Sequence, residues 1–295
     1  MRFLFSASVL AAQEVPPNWY QMLSGPVAEE LSKWEIDPEV LSYIGIDTNE
    51  LAQIRTVLME ALVSGSLEVL APLRPYAEQA LQWAETSPEW RPFAAWLKQR
   101  LDYFEVADDV VSSRIPPPVP ALPQPSITEA DYDLWYAKIR ERHPPVRAAA
   151  FVPELKPVFR AEGVPEEIVW LAEVESSFNP SAESPVGARG LYQFMPVTAE
   201  RFGLALTPQD ERLDPHKSAQ AAAQYLRILH RQFGSWSLAL AAYNAGEGRV
   251  GRLLKKTGGS TFDDIAAHLP AETRMYVPKI RAVVQVREGV DLRTL

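Results

Sequence analysis

A carboxyl group that donates a proton near neutral pH needs surroundings that disfavour its charged form. One acidic residue of this chain has such surroundings by sequence. Glu175 closes a stretch whose other members include Ile168, Val169, Leu171, Ala172 and Val174, all apolar. The segment from Pro165 to Glu175, opening after Gly163 with a proline and two glutamates in its first turn, predicts a helix. Glu175 then sits at the helix C-terminus, where the dipole opposes negative charge just as an apolar environment does. Glu173 lies about 200° around the same helix and cannot share a site with it. It is expected to face solvent or to pair with a cation.

Further blocks follow at compatible distances. Glu175-Ser176-Ser177-Phe178-Asn179-Pro180 is followed by Ser184, then by Gly187-Ala188-Arg189-Gly190-Leu191-Tyr192-Gln193-Phe194-Met195-Pro196. Farther on come Ala241-Ala242-Tyr243-Asn244-Ala245-Gly246 and Glu272-Thr273-Arg274-Met275-Tyr276-Val277-Pro278. In this order the blocks resemble the lytic murein transglycosylases with a soluble-transglycosylase catalytic domain, and most of all the membrane-bound D type.

The resemblance implies an enzyme that cuts peptidoglycan glycan strands with a single carboxylate, Glu175. In such a reaction the glutamic acid protonates the oxygen between MurNAc and GlcNAc. It then takes the proton of the MurNAc C6 hydroxyl as that hydroxyl attacks C1, giving a 1,6-anhydro-MurNAc end without water. An internal hydroxyl has a high effective concentration. Ordinary glycosidases use two carboxylates, and no second acidic residue near Glu175 matches a family motif.

The resemblance also implies that Ser184 holds the reacting MurNAc near its acetamido group and that Gln193 and Met195 contact sugars in a cleft. Tyr192 stands where Met or Trp is more frequent and is expected to offer an aromatic face. Tyr243 and Asn244 match a block beside the acid, with the tyrosine hydroxyl orienting either Glu175 or the substrate. Glu272 matches a residue that contacts sugar or peptide, and it also suits the N-terminal turn of a helix. Tyr276 is expected to pack beside it. Gly187 and Gly190 are expected to permit a tight backbone path.

Other chemistries find no support. There is no cysteine, which excludes thiolate metal sites, thiol nucleophiles and disulfides. His143, His216, His230 and His268 are scattered without metal-ligand spacing. No glycine-rich phosphate loop and no serine nucleophile elbow occur. No cofactor or metal is expected. The net charge is −9, with 17 acidic against 7 basic side chains in residues 13–115 and 21 of each in 127–295. Nucleic-acid binding, which runs on counterion release by lysine and arginine, is a poor fit. The basic run Arg249, Arg252, Lys255, Lys256 reads as a solvated helix face.

Four segments organise the chain. Residues 1–12 have one arginine, an apolar run and small residues at the end, the pattern of a short signal segment and hence of export to a bacterial periplasm. Residues 13–115 read as a helical N-terminal domain, with a stripe of Leu51, Ile54, Val57, Leu58 and Leu62, a second stretch from Leu67 to Thr86, and a third helix opened by Ser87-Pro88-Glu89. Its surface is a candidate for docking a cell-wall or envelope partner. Residues 116–126 form a proline-rich linker suited to polyproline II.

Residues 127–290 read as the catalytic domain, with helices expected over Thr128–Arg142, Pro165–Glu175, Thr198–Phe202, Ser218–Phe233, Trp236–Asn244 and Glu272–Arg287. No alternating run suggests a substantial sheet. The fold class is therefore all-α, a lysozyme-like helical catalytic domain preceded by a helical N-terminal domain. The peptidoglycan glycan strand is the expected partner. The rival readings are a lysozyme-type hydrolase on the same fold and a non-catalytic peptidoglycan-binding protein.

Overall fold

In a computed structural model the described residues are 91–113 and 127–295 apart from Pro185, together with isolated positions between 70 and 85. The expected signal segment, the two earlier N-terminal helices and the proline-rich linker lie outside these residues or touch them only at isolated positions. Ten α-helices carry the described fold: α1 (Arg91–Ser113), α2 (Ile127–Ile139), α3 (Ala148–Ala161), α4 (Leu171–Ser176), α5 (Pro196–Arg201), α6 (Pro215–Phe233), α7 (Trp236–Ala245), α8 (Glu247–Thr257), α9 (Phe262–Ala266) and α10 (Ala271–Glu288). Among the described residues there are only isolated bridges, Glu183 with Arg189 and Arg189 with Phe194, and no strand. The fold is all-α, as the sequence pattern predicts.

Helix boundaries follow local chemistry. Asp214 accepts from the amides of His216 and Lys217, and Pro215 opens α6 where no N–H is needed. Gly234, at φ 70°, ends it. The alanine run of α6 buries Ala219, Ala221, Ala222 and Ala223, so α6 packs closely against both α7 and α3. Helix α3 was not anticipated. Its internal Pro153 and Pro157 argue against a helix locally, yet both are exposed while Leu155 and Phe159 are fully buried. Burial of that face outweighs the hydrogen bonds the prolines remove. Helix α2 begins at Ile127, so Thr128 lies inside it and its hydroxyl donates to Asp263 over 2.5 Å.

Helix α10 is the most heavily buried of the described helices. Every residue from Thr273 to Val284 is buried, although three of them are cationic. Burying a charge is tolerable only when it is paired and hydrogen-bonded. Arg274 makes two bonds to Asp131 of α2, at 3.1 and 3.3 Å. Lys279 meets Asp102 of α1 at 3.0 Å and lies over the rings of Tyr103 and Trp135, 4.4 and 4.9 Å from their centroids. Arg281 bonds Glu129 and Asp291 and stacks 3.7 Å from the Tyr132 ring centroid. Helix α1 packs on α2 and α4, and Leu97, Phe104, Val106 and Ala107 join the same hydrophobic core as α10.

The segment after α4 is held by a second polar device. Arg212 is 5% exposed. Its Nη1 donates to the carbonyls of Gly187 and Phe194 at 2.8 and 3.0 Å, while Nε and Nη2 grip Asp210 at 2.9 and 2.7 Å. Gly190 passes so close that a Cβ there would stand 1.8 Å from the Arg212 carbonyl oxygen, and its φ is 82°. The tight backbone path expected here is thus set by Arg212 as much as by glycine.

The Asp131–Arg274 pair sits where neither charge can reach water. Asp131→Ala is expected to cost about 3–5 kcal/mol by leaving a buried guanidinium unpaired. Denaturant unfolding of the two proteins measures it, and a loss below about 1 kcal/mol would mean the pair is dispensable.

Candidate active site

The run to Glu175 is not one helix. Glu166–Trp170 is a 3-10 turn that passes directly into α4. Ile168, Val169, Leu171 and Ala172 are fully buried, so the segment is anchored on its apolar side and presents Glu175 at its end. Two left-handed residues, Ser177 at φ 51° and Phe178 at φ 55°, stop it. This is a costly conformation for a bulky residue. It is kept because Phe178 is fully buried and packs edge-on to Trp170 at 5.5 Å. The Ser176 hydroxyl donates to the Leu191 carbonyl at 2.8 Å and so ties the helix end to the following loop.

Glu175 keeps partial exposure as a residue, but its carboxyl lies among protein atoms. Burial pushes its pKa up to about 7. The Tyr276 hydroxyl donates to Oε1 and opposes the rise, as does the positive charge of Arg100, while the negative charge of Glu272 adds to it. Tyr276 and Tyr243 are themselves held well above the usual phenol range, chiefly by burial, so both remain neutral O–H donors. Glu173 is salt-bridged, gripped by Arg287 at 2.9 and 3.0 Å.

The remaining expected residues fall into three groups. Tyr276 bonds Glu175 directly, a closer relation than its expected packing beside Glu272. Tyr243 is near enough for its titration to feel the Glu175 charge. Its hydroxyl, however, donates to the Tyr192 carbonyl at 2.8 Å, and its ring meets Phe194 and Tyr225 at 6.2 and 5.3 Å. Asn244 Oδ1 accepts from the Thr273 hydroxyl at 2.6 Å, which joins α7 to the first turn of α10.

Ser184, Gln193 and Met195 belong to the loop between α4 and α5. Ser184 is buried, and its Oγ accepts from the Ala188 amide at 2.9 Å. Gln193, at φ 49°, donates from Nε2 to the carbonyls of Gly190 and Ala182 at 2.9 and 3.3 Å. Met195 is half-buried and extended, just before Pro196 opens α5. Tyr192 differs from expectation. It is fully buried against Phe159 at 5.7 Å, so its ring is core and offers no face to a ligand.

Glu272 is paired. Arg100 of α1 reaches its Oε1 through Nη2 at 2.8 Å and Nε at 3.0 Å. Arg100, Lys279 and Tyr103 were not read from the sequence. Arg100 and Tyr103 lie far from the recognisable blocks, and no motif connects them. Only a helix pattern with Trp96, Arg100 and Tyr103 on neighbouring turns hints at a shared face. No group of three or more His, Cys, Asp or Glu suited to a metal occurs among the described residues.

Comparison with known proteins bears on this arrangement. The family model described as Transglycosylase SLT domain matches residues 159–265. The chain is 40% identical over 144 residues to the membrane-bound lytic murein transglycosylase D of Escherichia coli K12, covering 46% of this chain and 32% of that protein. It is 39% identical over 121 residues to the soluble lytic murein transglycosylase of Salmonella typhimurium, 38% of this chain and 19% of that one. The match thus spans about a third or less of the length of these relatives. A solved structure, the 70 kDa soluble lytic transglycosylase of Escherichia coli, aligns over 84% of this chain and 55% of its own at 19% identity, with a TM-score of 0.42. Residues 159–265 of this chain are thus similar to the Transglycosylase SLT domain.

Proposed function

We propose that the protein is a peptidoglycan lytic transglycosylase of the bacterial envelope with Glu175 as its single catalytic acid and base. One observation carries the reading: a buried carboxyl, protonated up to about pH 7 and held on one oxygen by Tyr276. With Oε1 fixed, the transferable proton resides on Oε2. That proton passes to the oxygen linking MurNAc to GlcNAc as the bond from C1 breaks. The carboxylate so formed takes the C6 hydroxyl proton as that oxygen bonds to C1. No water is consumed, and the product carries a 1,6-anhydro end.

Burial serves both halves of the cycle, because it makes the acid available at neutral pH and the returning carboxylate a stronger base. Ser184, Gln193, Met195, Tyr243, Asn244, Glu272 and Tyr276 are assigned to substrate binding and to shaping the groove. Ser184 and Gln193 are braced within their loop, which favours fixed contacts over adaptable ones.

A hydrolase needs a second carboxylate as base or nucleophile. Glu173 lies on another face of its helix and is tied to Arg287, and Glu272 is tied to Arg100. That observation favours the internal hydroxyl over water as the attacking group. Among the described residues no helix is long and apolar enough to cross a membrane.

Digestion of purified sacculi with mass analysis tests the reading. The parent should release muropeptides one water lighter than hydrolytic products. Glu175→Gln should lower release by about 10²–10⁴-fold or more. Products carrying the added water would make the protein a hydrolase. Binding to sacculi without release would make it a non-catalytic wall protein.

The same carboxyl predicts a pH-dependent stability. Its folded pKa of about 7 lies above its ordinary 4.5, so between these values the folded state binds more protons than the unfolded chain. The contribution is most favourable below the lower value and is lost as pH rises to the upper one. Glu175→Gln is therefore expected to be more stable than the parent at pH 8 by about 1–3 kcal/mol. The excess should shrink toward pH 4. Equal stability of the two proteins at both pH values would show that the carboxyl is not disfavoured in the fold.

A further inference from the structure

Arg100 belongs to α1, which precedes the matched residues by some distance in the chain, yet its side chain ends at the site. It makes two bonds to Glu272 Oε1 at 2.8 and 3.0 Å, and its guanidinium stacks over the Trp96 ring at 4.6 Å from the centroid. The stack fixes the guanidinium plane, and the fork grips one carboxylate oxygen. Both bonds fall on Oε1, so Oε2 of Glu272 is not taken up by the pair. Glu272 opens α10, one turn before Tyr276, and Tyr276 is the residue that holds Glu175.

We propose that Arg100 is a positioning residue of this site: it orients the Glu272 carboxylate at the groove and supplies the positive charge that keeps Glu272 and Glu175 from opposing one another. The inference rests on Glu175 being the acid. Two carboxylates facing one site without a counter-charge cannot both hold their intended states, since one must take up a proton or both must move apart. With Arg100 bonded to it, Glu272 is held in place while Glu175 alternates between acid and base.

The groups that act on Glu175 come from three other helices. Helix α10 contributes Glu272, Tyr276 and Lys279, helix α7 contributes Tyr243, and helix α1 contributes Arg100 and Tyr103. Among the charged ones, Arg100 and Lys279 favour the carboxylate and Glu272 disfavours it. Lys279 is already committed to Asp102 at 3.0 Å, and Arg100 acts more strongly on Glu175 than Lys279 does. The functional unit therefore includes a helix on the far side of the proline-rich segment, and α1 is held there by Asp102 and the apolar face of Leu97, Phe104 and Val106.

The test is the pH profile of kcat/KM for anhydro-product release by the full chain, measured on the parent, Arg100→Met, Arg100→Met with Glu272→Gln, Arg100→Lys and Glu175→Gln. Circular dichroism and Tm establish that each variant is folded. The parent rate should fall as pH rises through about 7. In Arg100→Met that falling limb should move upward by about 0.5–1 pH unit. Adding Glu272→Gln should return it toward the parent position, because the opposing charge is gone. Arg100→Lys keeps the charge and should keep the limb while raising KM, and it carries the test if the methionine variant does not fold.

A limb that stays in place in Arg100→Met, with activity lower by the same factor at every pH, would reduce Arg100 to a brace for the fold and overturn the inference. So would a shifted limb that Glu272→Gln leaves shifted, or a displaced limb in Arg100→Lys. If Glu175→Gln retains the parent's activity, the assignment of the acid falls and the inference falls with it.

Discussion

The Tyr276 hydroxyl bonded to the buried Glu175 carboxyl is the contact on which the rest of the structure converges. Desolvation alone would make Glu175 a weak acid with a wandering carboxyl. The phenol fixes one oxygen and moderates the shift, leaving a group that can give up its proton near neutrality and take one back. Both partners stand on short lengths of buried backbone. Glu175 ends a six-residue helix braced by Ser176 and Phe178, and Tyr276 is embedded in α10, the most buried helix of the fold.

That placement explains why α10 carries so many cations. A helix buried on all sides is normally apolar all round. Here Arg274 draws a carboxylate from α2, Lys279 one from α1, and Arg281 one from α2 together with Asp291. Such pairs contribute little net stability compared with apolar packing, but breaking one is costly. Their effect is to set the rotation and height of α10 against α1 and α2, and with it the position of Tyr276. The grip of Arg212 on Gly187 and Phe194 does the same for the loop bearing Ser184 and Gln193.

Much of this was legible in the sequence. The helices expected over Ser218–Phe233, Trp236–Asn244 and Glu272–Arg287 correspond to α6, α7 and α10, while α3 and α9 were not read, and Glu175 was marked by its apolar run. Glu173 was expected to face solvent or to pair with a cation, and Arg287 makes it the second. Helix α3 was missed because two prolines count against a helix locally, whereas their exposure on its outer face is a tertiary fact. Tyr192 was misplaced because nothing in a motif distinguishes an aromatic ring turned into the core from one turned to a groove. Arg100 was invisible for a plainer reason. It lies 172 positions from Glu272, and no local rule connects residues that only a folded helix brings together.

A direct titration of the Glu175 carboxyl tests the central claim most simply. Carbon-13 NMR of protein labelled at the glutamate carboxyl, with Glu175→Gln used to assign the resonance, follows this one group through the pH range. The account predicts a midpoint near 7. A midpoint between about 4 and 5, the range of glutamates in open solvent, would contradict it.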